Sequence, residues 1–265
     1  MYKMIILGSG AAPGVPAVGS GWGNCDPSVV ENRRTRTTSC LEYKNTRILI
    51  DTSPDLRQQL LMSGIRSVDG IVYTHAHADH LHGIDELREI NRAENRSLNF
   101  YATAETVATV RERFPYLIAT PGHANDVSRE PSLVANTIEY YRPFMVKDLK
   151  ITPIRLLGHN MSTTGYIFND GEIVYIADYR KIDEAAFNCI GRPVKLLILP
   201  LTTPEGGRHH AGLDDILRDA ERIAPQQVVI NHMAVECDYR EIDRLTPQNV
   251  TPAFDNMSIV LDEGE

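Results

Sequence analysis

The chain has 265 residues, 42% of them hydrophobic and 23% charged, with a formal net charge of −8 at pH 7. The acidic balance argues against a large nucleic-acid partner, which needs a basic footprint. No apolar run approaches the length of a membrane span and no basic stretch leads into an apolar core at the start, so a cytoplasmic protein that does not enter the membrane is expected.

The length suits one large domain or two small ones, and we read a single domain over 1–265. Met4 to Leu7 predicts a first strand. The segment Gly8-Ser9-Gly10-Ala11-Ala12-Pro13-Gly14 follows it, but its glycine spacing misses the dinucleotide fingerprint and Pro13 and Pro16 oppose a following helix. It reads as a glycine turn lining a pocket. Arg33, Arg34 and Arg36 form the densest basic patch. Leu41 to Tyr43 and Arg47 to Ile50 predict a hairpin. Asp55 to Met62 predicts a helix ending at Gly64. Ile71 to Tyr73 is a strand, Ile84 to Ala93 a helix, Phe100 the start of a short strand and Glu105 to Phe114 a helix. In the second half, Lys150 to Leu157, Gly165 to Phe168 and Ile173 to Ile176 predict strands, and Ile182 to Cys189 a helix. Leu196 to Leu199 is a buried strand, Leu213 to Ile223 a helix, and Val228 to Ile230 and Ser258 to Leu261 complete the strands. Cys25, Cys40, Cys189 and Cys237 are widely spaced and read as reduced thiols.

One stretch stands apart. Thr74 to Gly83 reads T-H-A-H-A-D-H-L-H-G, with four of the chain's nine histidines and one Asp directly behind an apolar run. A buried strand fixes the backbone, and the loop after it can gather imidazoles and a carboxylate around one point. His75 and His77 lie two apart and point the same way in extended chain. Asp79 and His80 follow where the chain turns toward a helix and can face a second position. One stretch could thus serve two metals, an arrangement suited to phosphoester hydrolysis.

The run His75-Ala76-His77-Ala78-Asp79-His80 resembles the signature of the metallo-β-lactamase superfamily. Gly158-His159-Asn160, Tyr175-Ile176-Ala177-Asp178 and Val228-Val229-Ile230-Asn231-His232 resemble that family's later ligand segments, in the same order. The resemblance implies an α/β fold of α+β type, the four-layer αββα sandwich with two mixed sheets flanked by helices. It implies that His75, His77 and His159 hold one metal, Asp79, His80 and His232 a second, and that Asp178 bridges them. The cofactors would be two divalent ions, Zn²⁺ or Mn²⁺ first, and water held between them would lose much of its proton affinity. His210, in Arg208-His209-His210, resembles the family's general acid, with His209 as the alternative. Asp79 and Asp51 are grouped with it as catalytic, Asp51 by orienting a ligand histidine from beneath the metal loop. Ser162, Thr163, Arg180 and His209 are candidate substrate contacts, with Thr164 beside them. His82 reads as exposed, and His123 receives no role.

The early segments Gly8 to Pro16, Arg33 to Arg36 and Asp51 to Arg57 are similar to the group holding the phosphoribosyl cyclic phosphate phosphodiesterase (PhnP-like), whose cousin is the short tRNA 3′-processing endonuclease (tRNase Z-like). The former carries an N-terminal cysteine cluster and a late histidine for a structural zinc. Here Gly19 to Cys25 holds one Cys and Val235 stands near the histidine position, so that zinc is expected to be absent. The basic arm of the tRNA enzyme has no counterpart either. The expected substrate is a small cyclic or nucleotide-like phosphodiester. A thioesterase, glyoxalase or lactonase-like hydrolase and a non-catalytic nucleotide-binding protein are the alternatives, and relatives suggest a homodimer.

Overall fold

A computed structural model describes residues 1–118, 133–191 and 193–262. Its strands are β1 (Tyr2–Gly8), β2 (Thr38–Tyr43), β3 (Thr46–Ile50), β4 (Gly70–Val72), β5 (Leu98–Ala102), β6 (Leu133–Thr137), β7 (Phe144–Val146) and β8 (Leu149–Leu157). They continue with β9 (Thr163–Phe168), β10 (Ile173–Tyr175), β11 (Lys181–Ile182), β12 (Leu196–Pro200), β13 (Gln227–Asn231), β14 (Val250–Pro252) and β15 (Met257–Leu261). The helices are α1 (Leu56–Ser63), α2 (Ala78–Leu81), α3 (Leu87–Glu94), α4 (Ala104–Arg113), α5 (Glu184–Cys189), α6 (Leu213–Ile223) and α7 (Tyr239–Leu245).

Among the described residues the strands form two sheets. The first runs β15-β1-β2-β3-β4-β5-β6, and the second β11-β8-β9-β10-β12-β13-β14 with β7 beside β8. Each is mixed: β15 to β3 and β11 to β10 pair antiparallel, while β3 to β6 and β10, β12, β13 and β14 pair parallel. Alternation along the strands explains the layering. Met4, Ile6, Ile48, Ile50 and Val72 enter the core between the sheets, whereas Ile5, Leu7, Leu49 and Ile71 pack with Leu56, Leu87 and Val107 of the helices outside. Ile216 and Ala220 of α6 cover the second sheet. The result is the four-layer αββα sandwich. Each buried Ile or Leu contributes on the order of 1.5–3 kcal/mol, so Ile48, Leu49 and Ile50 firmly anchor the strand that delivers Asp51.

Most expected elements lie where the sequence places them. Ile182 is an exception: it sits in β11, and α5 starts after Asp183, whose side chain accepts from Ala185 N. Ile84 to Glu86 forms a 3-10 turn ahead of α3. Gly64 closes α1 at φ 71, a conformation that favours glycine. The glycine turn after β1 packs closely against its neighbours. A Cβ on Gly8 would sit 2.2 Å from Arg36 O, and Met233 N donates to Ser9 O at 2.9 Å. The turn is a joint holding the loop after β13. No helix of the described residues is long and apolar enough to cross a membrane.

Candidate metal centre

The parallel strands of both sheets end at one place, the position where sheets of this kind present their chemistry. Asp51 follows β3, and His75 to His80 follow β4 into the short helix α2. From the second sheet come His159 after β8, Asp178 after β10 and His232 after β13. Two groups of ligand atoms result, His75, His77, His159 and Asp178 in one, and Asp79, His80 and His232 in the other.

Distances within the groups fit cations. His77 Nδ1 lies 3.0 Å from His75 Nε2 and 3.2 Å from His159 Nε2. His232 Nε2 lies 3.2 Å from His80 Nε2 and 3.3 Å from Asp79 Oδ2. Atoms about 2.0–2.1 Å from a tetrahedral zinc stand roughly 3.3–3.4 Å apart, close to this spacing. One proton on His77 could satisfy only one of its two imidazole neighbours, whereas a cation satisfies all three. Asp178, a member of the first group, also lies near the second. Its Oδ1 is 3.4 Å from His232 Nε2 and its Oδ2 3.8 Å from His80 Nε2. Oδ1 is buried without a hydrogen-bond donor, an orphan that a cation would complete. The cluster therefore fits a divalent metal site.

The outer partners fix which nitrogen faces inward. Asp51 is fully buried and accepts from Thr74 N at 2.8 Å, Thr74 Oγ1 at 2.7 Å and His80 Nδ1 at 2.8 Å. With its proton given to Asp51, the Thr74 hydroxyl accepts from His75 Nδ1 at 3.0 Å. His159 Nδ1 faces His209 O at 3.4 Å. Arg113 donates to Ala76 O at 2.8 Å, pinning the loop between His75 and His77.

Burial drives most of the titration behaviour. It pushes His75 well below the usual histidine value, lowers His77, and brings His159 to about 4. These three are neutral at pH 7 and ready to ligate. His80 is the opposite case. Burial disfavours its charge, but the Asp79 and Asp51 carboxylates outweigh burial and hold it well above the usual value.

A model of the β-lactamase superfamily domain matches residues 46–233, a span that contains every one of these ligand positions. The chain belongs to this superfamily. Its fold is that of a diphosphatase from the PhnP family, at 26% identity and a TM-score of 0.87, covering 99% of this chain and 98% of the other. Human tRNase Z, short form, matches at 18% identity and a TM-score of 0.67 over 98% of this chain and 100% of the other. A protein of Porphyromonas gingivalis called octanoyltransferase is 29% identical over 263 residues. The match takes in 98% of this chain and 52% of that protein, so the chain spans about half the length of this curated relative.

In this superfamily member His210 stands at the edge of the cluster, its side chain 29% exposed, with Nδ1 4.0 Å from Asp178 Oδ2. Burial lowers its pKa, against the opposing pull of Asp178. Thr202, to which the sequence reading gives no role, lies 3.1 Å from His210 Nδ1 and 3.3 Å from His232 Nδ1. Its only sequence signal is its place just past β12.

The substrate candidates fare differently. Thr163 and Thr164 are fully buried and their hydroxyls lack hydrogen-bond partners, so neither is offered to a substrate in this conformation. Thr164 N instead donates to Thr74 O at 3.0 Å, tying β9 to the metal loop. Ser162 is exposed. Arg180 is engaged by Asp215 at 2.6 Å. His209 contributes its carbonyl to His159, while its own Nδ1 faces Gly158 O at 3.3 Å. Asp51, grouped with the catalytic residues, is sealed beneath His80 and acts as a positioning residue. His82 is exposed and near Arg113, and His123 lies outside the described residues.

The arginine patch is no open phosphate footprint. Arg36 forks onto Asp55 at 2.6 and 2.7 Å, Arg34 is buried and donates to Cys237 O at 2.8 Å, and Arg33 covers Trp22. Where the resemblance would put a structural zinc, Cys25 packs with Val15, Ala17 and Val235, and Trp22 covers them.

Proposed function

We propose that the chain is a metallohydrolase that cleaves a small cyclic or nucleotide-like phosphodiester. The observation that carries this reading is His210, a histidine that belongs to neither ligand group yet stands beside both, near Asp178, which lies between them. His75, His77 and His159 would hold one divalent ion, Asp79, His80 and His232 the other, and Asp178 both. Bound there, the ions supply Lewis acidity and lower the pKa of water at neutral pH.

The remaining work falls to the chain. Cleavage forms one P–O bond and breaks another, and the departing alkoxide needs a proton. Protonated His210 supplies it from Nε2 and is left neutral. Burial makes the His210 cation more acidic than free imidazolium, so once protonated it gives the proton up readily. Asp51 keeps the His80 ring aligned through Nδ1. The diphosphatase likeness supports attack at phosphorus. Phosphodiesters come first, and diphosphates belong in the same screen. A subunit pairing into a homodimer belongs to the proposal as well.

The octanoyltransferase likeness favours a second reading, hydrolysis of an acyl thioester or ester at the same site. Collapse of a thioester expels a thiolate, which leaves without a proton donor, so on thioesters this reading gives His210 no part.

The test is metal content of the purified chain together with turnover of diesters across Mn²⁺, Zn²⁺ and Ni²⁺, for the native chain and for His210→Ala. Two metals per chain and diester cleavage are expected. His210→Ala should keep both metals, lose about 10²–10⁴-fold on alkyl diesters, and change little on aryl diesters whose leaving oxide needs no proton. Two metals without phosphodiester or diphosphate cleavage would transfer the proposal to acyl substrates. Nucleotide binding without turnover under any metal would make the chain a binding protein, and no uptake of metal would end the metallohydrolase reading.

A further inference from the structure

Thr202 sits between a ligand histidine and the proton donor. It follows β12 by two residues, and its carbonyl accepts from Ala234 N at 3.1 Å. The hydroxyl therefore hangs from a fixed backbone between two rings. Oγ1 is 3.3 Å from His232 Nδ1 and 3.1 Å from His210 Nδ1.

A hydroxyl carries one proton and accepts through its lone pairs, so it cannot donate to both rings. His232 decides the direction. Its Nε2 faces into the cluster, 3.2 Å from His80 Nε2 and 3.3 Å from Asp79 Oδ2. On the metallohydrolase reading, on which this inference rests, that nitrogen keeps its lone pair for a cation. The proton of neutral His232 is then on Nδ1 and is donated to Thr202 Oγ1. The Thr202 proton is left to point at His210 Nδ1, which must accept it. Neutral His210 then carries its own proton on Nε2. The other acceptor near His210 Nδ1, Asp178 Oδ2, is 4.0 Å away, beyond hydrogen-bond range, and does not compete.

We infer that Thr202 is a positioning residue that passes proton placement from His232 to His210, holding neutral His210 as the Nε2–H tautomer. Engagement of His232 by metal thereby sets the hydrogen-bond direction of a residue that touches no metal. The His210 ring, which takes up a second proton before it acts as the acid, is held in one orientation when the cluster is loaded.

The experiment is a long-range ¹H–¹⁵N correlation spectrum of the zinc-loaded full chain labelled in its histidines, for the native chain, Thr202→Val and Thr202→Ser. The native spectrum should show His232 protonated at Nδ1 and neutral His210 at Nε2. Thr202→Val, which keeps the volume and removes the hydroxyl, should shift His210 toward the Nδ1–H form with zinc content unchanged, and Thr202→Ser should restore the native tautomer. The rate on alkyl diesters should fall about 10-fold in the valine variant and recover in the serine variant. Retention of the Nε2–H form in Thr202→Val, or a native His210 protonated at Nδ1, overturns the inference. The native spectrum decides even if the valine variant does not fold. A native His232 protonated at Nε2 in the presence of zinc overturns instead the site reading beneath it.

Discussion

His80 shows how one ring can carry two opposed demands. Metal ligation needs its Nε2 lone pair, yet Asp79 and Asp51 hold the metal-free ring protonated, well above the usual histidine value. Burial keeps His75, His77 and His159 on the other side of neutrality. At pH 7 the metal-free site thus holds one extra proton, and loading must expel it. Calorimetric titration of zinc into the metal-free chain, in buffers of different ionisation enthalpy, should report about one proton released from this ring. The sign follows from the shift: His80 is charged below its raised pKa, so the release is present at neutral pH and fades as pH rises through that value. Zero release at pH 7 would show that His80 is neutral before metal arrives. The ligand residues were legible because the chemistry crowds them into one loop, His75 to His80, and into strand ends with their own short signatures. Thr202 and Arg113 were not, because the partners that give them their roles are distant in sequence, His232 for Thr202 and Ala76 for Arg113. The partner of Arg180 was not legible either: Asp215, 35 positions away, accepts from its guanidinium.

Among the elements, β9 and β4 carry the joint between the sheets. Tyr166 of β9 is fully buried and its hydroxyl donates to Tyr73 O at 2.7 Å, directly after β4. Tyr166→Phe leaves that carbonyl without this donor in a dry interior, a loss of about 1–2 kcal/mol. For a chain of this size the thermal midpoint should fall by a few degrees, about 2–4 °C per kcal/mol, as differential scanning calorimetry would read it. An unchanged midpoint would mean that the carbonyl finds another donor. The strands themselves were legible where apolar runs are long, as in β1, β3 and β12. Short strands such as β7 and β14 carry too few residues to show a period, and β14 ends in Pro252. Helix α7 did have a signal, Asp238 followed three residues later by Glu241, and the Asp238 carboxylate accepts from Arg240 N at 3.0 Å and Glu241 N at 3.2 Å. Its weakness is a charged sequence with Ile242 as its buried residue, which shows little apolar periodicity.

At the scale of the whole molecule the ligand set spans both sheets. His75, His77, Asp79 and His80 come from the first, and His159, Asp178 and His232 from the second. The inter-sheet core already holds the layers together through Ile48, Ile50, Ile167 and Val229. A metal bound there would add a tie at one edge of that core, and it would bind the folded arrangement far better than a chain whose ligands are separated by up to 157 positions, as His75 and His232 are. Binding to the folded state alone stabilises it by mass action, about 4 kcal/mol at a thousandfold excess over Kd. Chelation followed by removal of the chelator should therefore lower the midpoint by about ten degrees, and return of Zn²⁺ or Mn²⁺ should restore it. The same treatment of Asp178→Ala should move the midpoint much less, because the carboxylate that lies between the two ligand groups is gone. If chelation leaves the native midpoint where it was, the cluster does not tie the sheets, and His75 to His80 would have to be held by Asp51, Thr74 and Arg113 alone.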